Sequence, residues 1–278
     1  MKRVLITGIN SFLAKELCKL LENDFSIYGL VNRNTENIPD YVTIVSSEQL
    51  TGLNDDFEFV FHIAAYIPDK SNQNNKLLFD TNVKLTETLL AKFKKARFIF
   101  ASSVSIYGDG NRLINETSPS INVNEYGQSK LSAEQLVKKH TSFAILRISS
   151  MYGVGMKKST FIPLIIENAI NKGHITLLGN GARKQDYIHV LDVAKTLFLA
   201  ANCGTNFIGL AISGKSYTNL EMVELVKEKC QNVEIKSVGE DFGQSYEYDK
   251  TQTIKILGNK ENVYINQGLK ELIEWIKK

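Results

Sequence analysis

The chain has 278 residues, of which 43% are hydrophobic and 23% charged, with a formal net charge of +3. That length buries one substantial core, and the dispersed Lys and Arg residues make no basic block of the kind that footprints nucleic acid. Cys18, Cys203 and Cys230 are odd in number and far apart, which excludes a disulfide framework, and no apolar run approaches the roughly 18–20 residues of a membrane span. After Met1-Lys2-Arg3 the first apolar run is too short and too soon broken for a signal peptide, so the expected setting is the cytoplasm, without membrane or nucleic acid as partner.

Apolar runs of strand length recur at residues 4–7, 25–31, 42–45, 59–63, 98–102 and 143–147, with helix-period stretches at 12–21, 77–93 and 127–139. This βαβ alternation predicts an α/β fold, a doubly wound parallel sheet with helices on both faces. The link 32–41 is short and holds Pro39, so it reads as a loop. Beyond residue 147 the rhythm loosens: a Gly- and Ser-containing loop at 151–159, a helix at 161–170, a short strand at 186–190 entering a helix at 192–201, a strand at 207–212, and helices at 219–229 and 267–276. The pattern predicts a main domain over 1–148, with 186–213 returning to its sheet, and a smaller C-terminal domain from 149–185 and 214–278.

The first strand runs into Thr7-Gly8-Ile9-Asn10-Ser11-Phe12-Leu13-Ala14 and then a helix. A small-residue turn there lets a pyrophosphate approach the free N–H groups and partial positive charge of the helix N-terminus. At the spacing Gly8, Ser11, Ala14 only the first residue is glycine; the Ser11 hydroxyl suits either a phosphate or a helix cap. At the end of the second strand, Asn32-Arg33-Asn34 offers no carboxylate for adenosine ribose hydroxyls, and Arg33 suits a 2′-phosphate, favouring NADP over NAD.

Three tyrosines precede a lysine by four residues: Tyr66/Lys70, Tyr126/Lys130 and Tyr246/Lys250. Pro68 spoils the helical register of the first, and the last lies in a polar tail with no hydroxyl-bearing strand end before it. Tyr126/Lys130 opens a helix and follows the strand that delivers Ser103. A phenol of ordinary pKa about 10 needs a neighbouring positive charge to serve as a base near neutrality, and Lys130, one turn on, supplies one. Ser103 would hold the substrate oxygen against Tyr126 while a proton moves with a hydride.

With these residues the chain resembles the extended short-chain dehydrogenase/reductase family of nucleotide-sugar epimerases, dehydratases and reductases. The resemblance runs from residue 1 to about 213 and includes His62-Ile63-Ala64-Ala65, Asn82-Val83, Tyr107-Gly108, Leu146-Arg147, Tyr152-Gly153 and Asp186-Tyr187-Ile188-His189-Val190. It implies a dinucleotide-binding Rossmann domain with a smaller substrate-binding domain. It further implies catalytic residues Ser103, Tyr126 and Lys130, and cofactor contacts at Gly8, Ser11, Phe12, Leu13, Arg33, Ala64, Ala65, Asn82 and Lys130. Ser105, Asn82 and Arg183 would meet the substrate, with no metal, and a homodimer is allowed. Family dehydratases carry Asp and Glu just after the catalytic hydroxyl, where this chain has Val104 and Ser105, so dehydration is not expected. The arginine that often precedes the Asp-Tyr-Ile-His-Val segment is Gln185, leaving Arg183 as its substitute. The resulting expectation is NADP- or NAD-dependent reduction of a keto group on a nucleotide-linked sugar. NAD-dependent 4-epimerisation is the alternative, and a non-catalytic dinucleotide-sensing protein a further one.

Overall fold

The computed structural model describes residues 1–32, 34–68, 73–109, 113–258 and 262–278. The first half contains β1 (Lys2–Thr7), α1 (Phe12–Leu21), β2 (Phe25–Val31), β3 (Thr43–Ser46), β4 (Phe57–His62), α2 (Asn75–Phe79), α3 (Leu85–Lys92), β5 (Arg97–Ser103), β6 (Leu113–Ile114) and α4 (Glu125–Val137). The second contains β7 (Phe143–Ile148), β8 (Ser150–Tyr152), α5 (Phe161–Lys172), β9 (His174–Leu178), β10 (Lys184–His189), α6 (Val190–Asn202), β11 (Phe207–Ala211), β12 (Ser216–Thr218), α7 (Asn219–Lys227), β13 (Glu234–Val238), β14 (Glu247–Tyr248), α8 (Thr251–Leu257) and α9 (Ile265–Ile276).

Seven strands form one parallel sheet in the order β11-β7-β5-β4-β1-β2-β3. Strand runs such as Val4-Leu5-Ile6 and Phe98-Ile99-Phe100 are wholly apolar because helices cover both faces, and all six side chains are fully buried. One face packs on α1 and α6 through Leu17, Leu21, Val193 and Leu197, the other on α3 and α4 through Leu89, Ala133 and Val137. Strand order reverses between β1 and β4, so their C-terminal ends open a crevice, the place where such sheets bind ligands. A separate apolar cluster gathers Ile166, Ile175, Met222, Val226, Leu269 and Leu272 from α5, β9, α7 and α9.

Two features depart from the sequence reading. The segment 186–213 divides: β11 pairs with β7 in the large sheet, while β10 pairs with β8 and β12 in a three-stranded sheet of its own. A short strand's side-chain pattern does not name its partner, and β10 pairs with β8, the strand that follows β7 directly. The helix expected over 77–93 is instead α2 and α3 joined by a π turn, Asp80–Lys84. That turn inserts a residue without interrupting the apolar period enough to be seen in sequence, and such turns concentrate at functional sites.

α4 buries Gly127, Ser129, Lys130, Ala133, Glu134 and Val137, so half of its inward face is polar. Its start is fixed by Asn124, whose Oδ1 accepts from Gly127 N at 2.8 Å. Gly127 is obligatory, since a Cβ there would lie 2.4 Å from the Ser105 carbonyl oxygen.

Candidate active site

The nucleotide turn begins where β1 ends. Gly8 has φ +67°, and a Cβ on it would stand 3.0 Å from Ala64 Cα, so glycine is required both for conformation and for the approach of the two strand ends. Ser11 caps α1, its Oγ accepting from Ala14 N at 3.2 Å. The Ser11 hydroxyl proton is not used in that bond and remains able to donate to a phosphate.

From the start of α1 a cleft of about 970 Å³ runs across the C-terminal ends of the strands. Phe12, Leu13 and Ala65 line the end nearest α1; Ser103, Tyr126 and Lys130 share the wall beyond, and Ser105, Ser149, Ser150 and Lys157 continue it. Ser103 leaves β5 and caps the short 3₁₀ turn Val104–Tyr107 by accepting from Ser105 N at 3.1 Å. Its Oγ also donates to Ser105 Oγ at 3.1 Å.

Lys130 is only 1% exposed; its Nζ donates to the Ala101 carbonyl at 2.9 Å and lies 4.8 Å from the centre of the Phe100 ring. Burial pushes this amine down to about 7, partly opposed by the negative charge of Glu134 one turn along α4. Burial likewise pushes the Tyr126 phenol up to about 12, opposed by a hydrogen bond with Ser103. The two groups therefore start from opposite sides of neutrality: the tyrosine holds its proton, and the lysine is near balance.

Behind this wall lies an ion pair that sequence reasoning missed. Glu134 is fully buried; Arg147 reaches its two oxygens at 3.0 Å through Nε and at 2.9 Å through Nη2, and Ser102 Oγ donates to it at 2.6 Å. Arg147 Nη1 also donates to the Tyr107 hydroxyl at 2.8 Å. The bidentate geometry ties β5, α4 and β7 together next to Ser103 and Lys130. Leu146-Arg147 was noticed as a motif, but a pairing between residues on different elements leaves no local pattern.

Ala64 packs against Gly8, behind the wall that Ala65 lines. Asn82 is 1% exposed, and its side chain is taken up by bonds within the protein. Its amide is engaged by Tyr66 N at 2.8 Å, Tyr66 O at 3.0 Å and Ser129 Oγ at 3.0 Å, and it sits within the π turn, not at a helix cap. Ser105 lines both the cleft and an adjoining recess of about 380 Å³ that holds Arg183, Gln185 and Tyr246. Arg183 Nε lies 3.3 Å from Asp241 Oδ2. Lys250 donates to the Ser213 carbonyl at 2.8 Å, apart from the cleft; Arg33 and Lys70 lie outside the described residues.

An extended dinucleotide fits this arrangement: a glycine turn at a helix N-terminus, an uncrowded wall at Ala65, and a cleft ending at a Ser/Tyr/Lys set. Among known proteins, the chain is 26% identical to a putative UDP-glucose 4-epimerase from Methanocaldococcus jannaschii, covering 99% of this chain and 98% of the relative. It is 24% identical to human dTDP-D-glucose 4,6-dehydratase over 99% of this chain and 90% of that protein. The fold matches UDP-glucuronic acid 4-epimerase from Bacillus cereus, solved with UDP-glucuronic acid and NAD, with a TM-score of 0.87 at 19% identity over 99% of both chains. It also matches UDP-N-acetylglucosamine 4-epimerase from Methanobrevibacter ruminantium, with a TM-score of 0.88 at 21% identity over 99% of this chain and 98% of the other. The family model described as NAD dependent epimerase/dehydratase matches residues 4–207, and the chain belongs to that family, an NAD(P)-dependent enzyme of the extended short-chain dehydrogenase/reductase type.

Proposed function

We propose that the protein is a nucleotide-sugar 4-epimerase, with Tyr126 as the proton-transferring group, Ser103 orienting the reacting oxygen and Lys130 holding the cofactor side of the site. The observation that carries this reading is that Ser103, Tyr126 and buried Lys130 share one wall of the cleft at the C-terminal ends of the strands. Val104 and Ser105, directly after the catalytic hydroxyl, bring no carboxylate, which favours hydride exchange at a carbinol carbon over elimination of water. Bound nicotinamide supplies the hydride acceptor and donor.

Tyr126 retains its proton at neutral pH in the protein by itself, so it is set to donate when a ketone is reduced. To accept a proton from an alcohol it needs added positive charge, and Ser103 then turns its hydroxyl proton toward the phenolate. Gly8, Phe12, Leu13 and Ala65 would seat the dinucleotide, with Ser11 as phosphate donor. The sugar would lie between Ser103 and Ser105, and its diphosphate toward Arg183 in the neighbouring recess. In this reading the smaller C-terminal part, 149–185 and 214–278, carries the substrate.

A keto-reductase using NADP is the second reading, favoured by the absence of a carboxylate at Asn32-Arg33-Asn34. The two separate on one experiment. Dinucleotide released from the purified protein is identified, and UDP-glucose, UDP-N-acetylglucosamine and UDP-glucuronic acid are then supplied without added cofactor. Retained NAD with conversion to the 4-epimer supports the proposal. Product formed only as NADPH is consumed supports the reductase, and dinucleotide binding without turnover of any sugar or keto-sugar supports a sensing protein.

A further inference from the structure

We infer that His62 is a positioning residue that couples the nucleotide turn to the helix carrying Tyr126, through a hydrogen-bonded chain in which every proton has one assigned direction. His62 ends β4, is fully buried and lies behind the cleft. One end of the chain is Ala64 N–H, which can only donate and does so to Thr7 Oγ1 at 3.0 Å. Thr7 Oγ1 lies 2.8 Å from His62 Nδ1, and His62 Nε2 lies 2.8 Å from Thr86 Oγ1. Thr86 Oγ1 in turn donates at 2.9 Å to the Asn82 carbonyl, which can only accept.

The Asn82 end decides the middle. Thr86 has one proton and gives it to Asn82, so it must receive the proton on His62 Nε2. A neutral imidazole has one N–H, so Nδ1 accepts from the Thr7 hydroxyl, whose oxygen accepts from Ala64. Neutrality is secured by burial and by the charge of nearby Lys130, which together push the ring down to about 3.

The chain does not stop at Asn82. Within the π turn, the Asn82 side chain holds both backbone groups of Tyr66 and donates to Ser129 Oγ at 3.0 Å; Ser129 Oγ donates to the Tyr126 carbonyl at 2.7 Å. One path therefore joins the strand end at Thr7-Gly8, the Ala64-Ala65 wall and the first turn of α4. Its centre is a histidine that neither touches the cleft nor titrates in the working range. The inference depends on the NAD(P) site described above for its binding consequence but not for the tautomer.

Two measurements test it. In ¹⁵N NMR of the wild type, His62 should remain the Nε2–H tautomer from pH 6 to 9. His62→Phe keeps an aromatic ring against Phe98 and Phe100, whose centres lie 5.8 and 5.5 Å away, and removes both bonds. The folded variant should bind its dinucleotide, NAD or NADP, about tenfold more weakly, because the Thr7-Gly8 strand end and the Ala64-Ala65 wall are no longer held together. Thr86→Val, nearly isosteric, should weaken binding about threefold and serves if His62→Phe does not fold. An Nδ1–H tautomer, an imidazolium, or folded variants that bind within a few tens of per cent of wild type overturn the inference. A wild type that binds neither dinucleotide would overturn the cofactor site instead, and the tautomer would then decide this inference.

Discussion

Replacing Lys130 by methionine should abolish a gain in stability that the wild type makes as the pH rises above neutrality. The amine is 1% exposed, and its pKa falls from an ordinary 10.5 to about 7 because burial disfavours the charged form. Between these two values the unfolded chain holds the proton and the folded chain has lost it, so the unfolded state binds more protons and stability rises with pH across that window. Below about 7 both states carry the charge, and the folded state bears the full cost of burying it. At about 1.4 kcal/mol per pH unit, the wild type should gain roughly 5 kcal/mol on going from pH 7 to 10.5 through this group alone. A buried methionine has no such dependence. Urea unfolding of wild type and Lys130→Met at matched pH values from 6 to 10.5 gives the difference between their stabilities, in which other titrating groups cancel. That difference should move in favour of the wild type by several kcal/mol as pH rises, with the methionine variant the more stable near neutrality despite its lost activity. A difference that stays flat within about 1 kcal/mol would refute the argument that Lys130 is held in a desolvated site.

Three other substitutions probe separate parts of the site. Gly8→Ala forces a left-handed residue and a Cβ 3.0 Å from Ala64 Cα, so dinucleotide affinity measured by calorimetry should fall at least tenfold; an unchanged affinity would deny the turn its role. Glu134→Gln strips the charge from a fully buried pair and leaves Arg147 uncompensated, which should cost about 3–5 kcal/mol and lower the melting temperature by roughly 10 °C, whereas a change under about 2 °C would contradict the structural weight given to the pair. Arg183→Ala should raise KM for a UDP-sugar while leaving dinucleotide affinity unaltered; equal effects on both would place Arg183 outside the substrate recess.

Much of the sheet could be read in the sequence because buried parallel strands such as Val4-Leu5-Ile6 and Phe98-Ile99-Phe100 have nowhere to place polar side chains. Tyr126 and Lys130 were legible for a similar reason: an i, i+4 pair after a strand bearing Ser103 has few arrangements open to it. What escaped depended on distant pairing. The short mixed segment of β10 carried no sign that its partners would be β8 and β12, and the period of 77–93 concealed the π turn at Asp80–Lys84. The resemblance implied Asn82 as a cofactor and substrate contact, and in the structure its side chain, within that π turn, holds Tyr66 and Ser129. The Ser11 ambiguity resolved differently, since the hydroxyl caps α1 and still keeps a proton to donate. Glu134 gave no local signal and His62 stood out only as part of the His62-Ile63-Ala64-Ala65 motif, because the partners of both lie on other elements.

The account turns on Tyr126 moving a proton while a hydride is exchanged. Tyr126→Phe removes the phenolic oxygen and little else, so epimerisation of a UDP-sugar, followed by NMR of the sugar product, should fall by about 10²–10⁴ in kcat with bound dinucleotide and melting temperature close to wild type. A variant that keeps its dinucleotide and turns over within tenfold of the wild type would contradict the assignment of Tyr126 as the acid and base of this site.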